Sequence, residues 1–168
     1  MRYENLGTHT SPVFSYQEDD FLINDMIDVG TTSMPAFFDY NNDSLIDMVI
    51  SKGGAYDNAT STHTNGIHLF ENVGSATEPM FEFVTDDMAG ISSMGFPNSL
   101  SPTFGDLDGD GDSDMILGDE NGNLHYFQNT APLGTDANFV LATPLLTDNT
   151  ATTIDVGGSS HPTLIDLD

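Results

Sequence analysis

The stretch SMPAFFDYNNDSLIDMVIS at 33–51 recurs as LSPTFGDLDGDGDSDMILG at 100–118, and SHPTLIDLD at 160–168 opens a third copy. Self-similarity of this kind marks an array of supersecondary units rather than one irregular globule. Pro35, Pro102 and Pro162 keep the register, 67 and then 60 residues apart. Two further landmarks recur in phase. RYENLGTHTSPVF (2–14), LFENVGSATEPMF (69–81) and YFQNTAPLGTDANF (126–139) align on Asn5, Asn72 and Asn129, and MIDVGTTSMP (26–35) aligns with TIDVGGSSHP (153–162). The chain therefore divides into the tail of one repeat (1–34), two full repeats (35–101 and 102–161) and the head of another (162–168).

Within a repeat the apolar runs are short and bounded by Gly, Asn, Asp and Pro, so they read as strands and not helices. The second repeat predicts four: about 102–105, 114–118, 124–128 and 139–143. The runs DMVIS and DMILG are apolar without alternation, as a strand buried on both faces requires. Asn121-Gly122 sits between the second and third strands and is expected to supply both positive-φ residues of a tight hairpin. The first repeat is longer, with 33 residues from Asp39 to Asn72 against 23 from Asp106 to Asn129. The extra residues fall in KGGAYDNATSTHTNG (52–66), read as an inserted polar surface loop. The expected class is all-β, in antiparallel four-stranded units.

Charge narrows the partners. Against 27 Asp and Glu stand only Arg2 and Lys52, a formal net charge of −25. Such an excess repels nucleic-acid phosphates and anionic headgroups, so neither nucleic acid nor membrane insertion is expected. No run approaches the ~18 apolar residues of a membrane span, and the start MRYENLG lacks the apolar core of a signal peptide. Cysteine is absent, which removes disulfides and thiol chemistry.

The carboxylates are not scattered. DLDGDGDSD places Asp106, Asp108, Asp110 and Asp114 at positions one, three, five and nine of a loop, with the carbonyl of Asp112 at seven and Gly111 at six. That is the order in which a calcium loop presents hard oxygen ligands around a sharp turn. Without a cation, neighbouring carboxylates repel by about 1 kcal/mol per close pair even in water. DYNNDSLID repeats the order with Asp39, Asn41, Asp43, the carbonyl of Leu45, and Asp47. Its amide at position three lowers the ligand charge by one and predicts weaker binding. In the third copy Asp166 and Asp168 begin the same series. A helical calcium module is excluded, because Ile50 and Leu117 stand where it needs an acidic twelfth residue.

PTFGDLDGDGDSDMILG resembles the signature of FG-GAP/VCBS repeats of integrin-like β-propellers. LFENVGSATEPMFEFVTDD and IDVGGSSHPTLIDLD also resemble surface proteins that Bacteroidetes export by type IX secretion. The resemblance implies an extracellular or cell-surface location and blades of four antiparallel strands. It also implies one Ca2+ in the loop between the first two strands of each blade. Since propellers close with four to eight blades, this stretch is expected to be an incomplete propeller and a segment of a longer polypeptide. The implied role is structural or adhesive, toward a glycan or other copies of the protein; the alternatives are a filament subunit and a carbohydrate-binding or scaffold domain of a secreted hydrolase. Asn58 in Asn-Ala-Thr and Ser44 in Asp-Ser-Leu match short glycosylation signals. His9, His63, His68, His125 and His161 form no metal-ligand pair, and no nucleophile elbow, phosphate loop or dinucleotide fingerprint occurs. Enzymatic activity is not expected.

Overall fold

Each full repeat folds as its own antiparallel sheet in simple up-and-down order. In the computed structural model, which describes residues 2–18, 29, 31–57 and 62–165, the first sheet comprises β3 (Met34–Phe38), β4 (Asp47–Asp57), β5 (Thr62–Asn72) and β6 (Phe81–Thr85). The second comprises β7 (Ser101–Gly105), β8 (Asp114–Gly118), β9 (Leu124–Asn129) and β10 (Phe139–Thr143). Before them β1 (Arg2–Asn5) and β2 (Phe14–Glu18) pair as a two-stranded antiparallel ribbon. Among the described residues no helix is long and apolar enough to cross a membrane. Asp166, Asp168 and the sequon at Asn58 lie outside the described residues.

Register repeats with the sequence. Phe38 pairs with Asp47 as Gly105 pairs with Asp114, and Met48 pairs with Phe70 as Met115 pairs with Phe127. At the far hairpin Asn5, Asn72 and Asn129 stand opposite Phe14, Phe81 and Phe139. The recurrent asparagine has a local task. Its side-chain oxygen accepts two backbone N–H groups of the connection that follows: Gly7 and Val13 for Asn5, Gly74 and Met80 for Asn72, Ala131 and Asn138 for Asn129, all at 2.9–3.2 Å. One amide thereby closes the loop between third and fourth strands by satisfying donors that would otherwise need water.

Two expectations are corrected. The described part of the inserted stretch, 52–57 and 62–66, is strand and not surface loop. β4 and β5 continue into it, with Lys52 opposite Gly66, Ala55 opposite Thr64 and Asp57 opposite Thr62, across a bulge between Lys52 and Ala55. Backbone pairing does not require apolar side chains, so a polar arm carries a ladder as well as a buried strand does. Its base is tied down by the Gly53 N–H to the Thr31 carbonyl at 2.9 Å. At Asn121-Gly122 only Gly122 has positive φ, 92°. The turn is one residue longer than a tight hairpin, closed by Gly122 N–H to Asp119 C=O and Asp119 N–H to Asn123 C=O, both 3.2 Å. A three-residue loop ending in a glycine in the left-handed region is the next commonest hairpin solution.

The two sheets stack face against face. Val49, Ile67 and Leu69 from one meet Met115, Leu117 and Phe127 from the other, and Met88, Ile91 and Leu100 of the connecting segment complete a shared buried cluster. Residues 114–118 of β8 are buried on both faces, as their unalternating sequence requires. Phe38 and Phe104 stack with ring centroids 4.0 Å apart and planes 10° from parallel, and Phe139 lies 5.8 Å from each.

The contact between repeats is itself repeated. Ser51 Oγ donates to the Leu100 carbonyl where the segment leading into the second sheet crosses the first. One repeat on, Gly118 occupies the place of Ser51 and faces Ser160, so closely that a Cβ on Gly118 would overlap the Ser160 carbonyl. Ser160 Oγ accepts the Asp119 N–H at 2.8 Å and donates to the Asn123 carbonyl at 2.7 Å. Leu164 then lies over Gly105 as Phe104 lies over Phe38. His125 seals this junction, with Nε2 2.9 Å from Asp119 and Nδ1 on the Pro144 carbonyl. Burial would raise the Asp119 carboxyl pKa, but the bonds from His125, Asn123 and Asn121 outweigh it and hold the carboxyl below its usual range.

Candidate metal centre

Each acidic loop joins the first strand of a sheet to the second, and its last residue is the anchor. Asp47 and Asp114 open β4 and β8 and are 0% and 1% exposed. Asp114 accepts N–H groups from Leu107 at 3.1 Å and Asn129 at 2.8 Å, and the Tyr126 hydroxyl at 3.0 Å. Asp47 accepts the matching amides of Tyr40 and Asn72, each at 2.7 Å. One carboxylate thus ties the loop to the third strand. Burial pushes the Asp47 carboxyl up from its usual pKa, and the two amides offset part of that. Burial, with the bond to Asp114 and the nearby aspartates, pushes the Tyr126 phenol up to about 12.

The first residue of each loop folds the chain back over itself. Asp106 accepts Gly109 N–H at 2.7 Å and Gly111 N–H at 3.1 Å; Asp39 accepts Asp43 N–H at 3.1 Å and Ser44 N–H at 2.8 Å. Positions three and five then cap the residue two further on: Asp108 to Asp110, Asp110 to Asp112, Asn41 to Asp43, and Asp43 to Leu45. Positions four and six have positive φ in both loops, 80° and 96° at Gly109 and Gly111, 61° and 72° at Asn42 and Ser44. The first loop holds the same shape without glycine. A left-handed conformation costs a non-glycine residue about 1–2 kcal/mol, so Ser44→Gly is expected to raise stability by about 1 kcal/mol. Thermal unfolding of the variant beside the wild type measures it, and a lower melting temperature would contradict the strain.

Asp106, Asp108 and Asp114 each bring one carboxylate oxygen within 4.8 Å of the others, the one such group among the described residues. Oxygens that far apart at most can share a cation at the 2.3–2.6 Å that calcium takes. The Asp110 carboxylate, expected as a further ligand, belongs to the same turn but not to this group. Asp112 Oδ1 is buried with no hydrogen-bond partner, and burial followed by the charges of Asp110, Asp114 and Asp108 pushes its carboxyl up to about 6. Neither basic residue of the chain lies in the loop sequence to relieve this crowding. Hard oxygen donors packed together with uncompensated negative charge fit a divalent cation. In the first loop Asn41 replaces one carboxylate, and Asp39, Asp43 and Asp47 do not form a comparable group. The two loops flank a polar cleft of about 230 Å³ lined by Asp39, Tyr40, Asn42, Gly111 and Asp112, bridged where Ala137 N–H meets the Tyr40 carbonyl at 2.8 Å.

The roles of Asn72, Asn129 and Tyr126 escaped sequence reasoning. The asparagines were visible as a recurring landmark, but their partners were not.

Comparison with known families bears on the repeat. A family model described as FG-GAP-like repeat matches residues 39–117, which run from the first acidic loop through the second. The match supports the FG-GAP family for that stretch, a type of repeat typical of extracellular proteins. No curated protein and no solved structure matches significantly.

Proposed function

We propose that the chain is part of an extracellular, calcium-binding β-propeller of FG-GAP repeats, with a structural or adhesive role and no catalysis of its own. Each four-stranded sheet is one blade in this reading. Asp39, Asn41, Asp43, Asp47 and the Leu45 carbonyl would hold one calcium. Asp106, Asp108, Asp110, Asp114 and the Asp112 carbonyl would hold another, and Asp166 and Asp168 would begin a third site. The ion supplies a positive charge at the hairpin tip. The residues supply the rest: Asp47 and Asp114 couple the tip to the third strand, so stiffening the tip stiffens the blade. The observation that carries the reading is the convergence of the Asp106, Asp108 and Asp114 oxygens. The repeat resemblance supports a location outside the cell, reached by a type IX route. There calcium is abundant enough to fill sites of roughly 10⁻⁴ to 10⁻³ M affinity.

Calcium removal tests this directly. A ligand bound only by the folded state stabilises it by about 2.7 kcal/mol at a hundred times its Kd. The melting temperature is therefore expected to fall by several degrees in chelator and to return when calcium is restored. An unchanged melting curve, with no calcium found by elemental analysis of the dialysed protein, would end the proposal.

A further inference from the structure

The third position of each loop has a partner on the third strand, and the two repeats build that pair with opposite polarity. In the second repeat Gln128 Nε2 donates to Asp108 Oδ2 at 2.6 Å. In the first, Asn41 Nδ2 donates to Glu71 Oε1 at 3.0 Å. Met48 opposite Phe70 and Met115 opposite Phe127 make Glu71 and Gln128 structural equivalents, each one residue past the matched phenylalanine. The carboxylate and the amide have changed places across the same contact. In both repeats the Oδ1 of the loop residue, Asn41 or Asp108, still caps the residue two positions on. Each pair also keeps a single negative charge. The charge lost from the first loop at Asn41 therefore reappears 30 residues later at Glu71. Glu71 faces Glu82 directly across the strands, a placement that costs energy unless a positive charge nearby offsets it.

We infer that Glu71 and Gln128 are positioning residues for the two metal loops: each fixes the rotamer of the third-position oxygen ligand, and Glu71 also restores to the first site the charge that Asn41 omits. The inference rests on the calcium reading above, and it implies that the first site is less weakened than its loop sequence alone predicts. Partners of this kind, one step removed from a metal, typically alter affinity by about 10–100-fold.

The test is calorimetric titration of the full chain with calcium chloride, with metal-free melting curves to establish that each variant is folded. Gln128→Leu is expected to weaken one of the two sites about tenfold. Asp108→Asn alone is expected to weaken the same site, and Asp108→Asn combined with Gln128→Glu, which recreates the polarity of the first repeat, is expected to return it to within about threefold of wild type. A role in folding alone would move the melting curves but could not produce rescue of affinity by the exchanged pair. Should Gln128→Leu fail to fold, the near-isosteric Asp108→Asn series decides the matter. Unchanged affinity in Gln128→Leu, or a double variant no tighter than Asp108→Asn, overturns the positioning role while leaving the calcium sites intact. Absence of binding by the wild-type chain removes the sites and the positioning role together.

Discussion

Asp114→Ala is expected to destabilise the protein by about 3–4 kcal/mol, because it removes at once the acceptor of a buried amide, a part-buried hydroxyl and the Leu107 amide. Leu107, Asn129 and Tyr126 all donate to this one carboxylate, which is 1% exposed. For a chain of this size the melting temperature should drop by roughly 10 °C. Asp114→Asn keeps an acceptor oxygen in the same place and should lose about half as much. Both losses are expected in chelator as well as in calcium, since the bonds exist without an ion. A cost below about 1 kcal/mol for the alanine variant would show that water replaces the carboxylate, and the anchor role would be wrong.

Truncating Phe127 should be comparably damaging, and the loss should not stay in its own sheet. Phe127 is fully buried among side chains from both repeats, so Phe127→Ala is expected to cost about 3–5 kcal/mol. Val49, Ile67 and Leu69 in the first sheet share that cluster. Hydrogen exchange is expected to show amides of β4 and β5 losing protection together with those of β8 and β9. If only the second sheet loosens, the repeats unfold separately and the shared core does not couple them.

The strands were legible in the sequence because each signal was local. The ends of 114–118 and 139–143 follow from Gly, Asp and Thr at their borders, and the observed strands match them. Burial of 114–118 on both faces was legible in the unalternating DMILG. The arm at 52–57 and 62–66 was misread because a polar run was taken for a surface loop, whereas a ladder of backbone bonds is indifferent to polarity. Within the site, the loop order of carboxylates could be read directly, since all its residues lie within nine positions. The pairs Asn41–Glu71 and Gln128–Asp108 could not, because they cross 30 and 20 residues and exist only once the register of the third strand is set. The three copies of the asparagine clasp fall between: recurrence marked Asn5, Asn72 and Asn129, and only geometry showed which donors they hold.

The stacking of sheets has a direction. The side of the first sheet bearing Val49, Ile67 and Leu69 meets the opposite side of the second, bearing Met115, Leu117 and Phe127. The equivalents left over are Met48, Ile50 and Phe70 on one flank and Ile116, Leu124 and Tyr126 on the other. An association between unlike surfaces cannot terminate by pairing each surface with a rotated copy of itself, as a two-fold dimer does. Growth by this joint is vectorial, and the turn accumulated at each step alone determines whether the succession curls back to meet its origin or advances as an open screw.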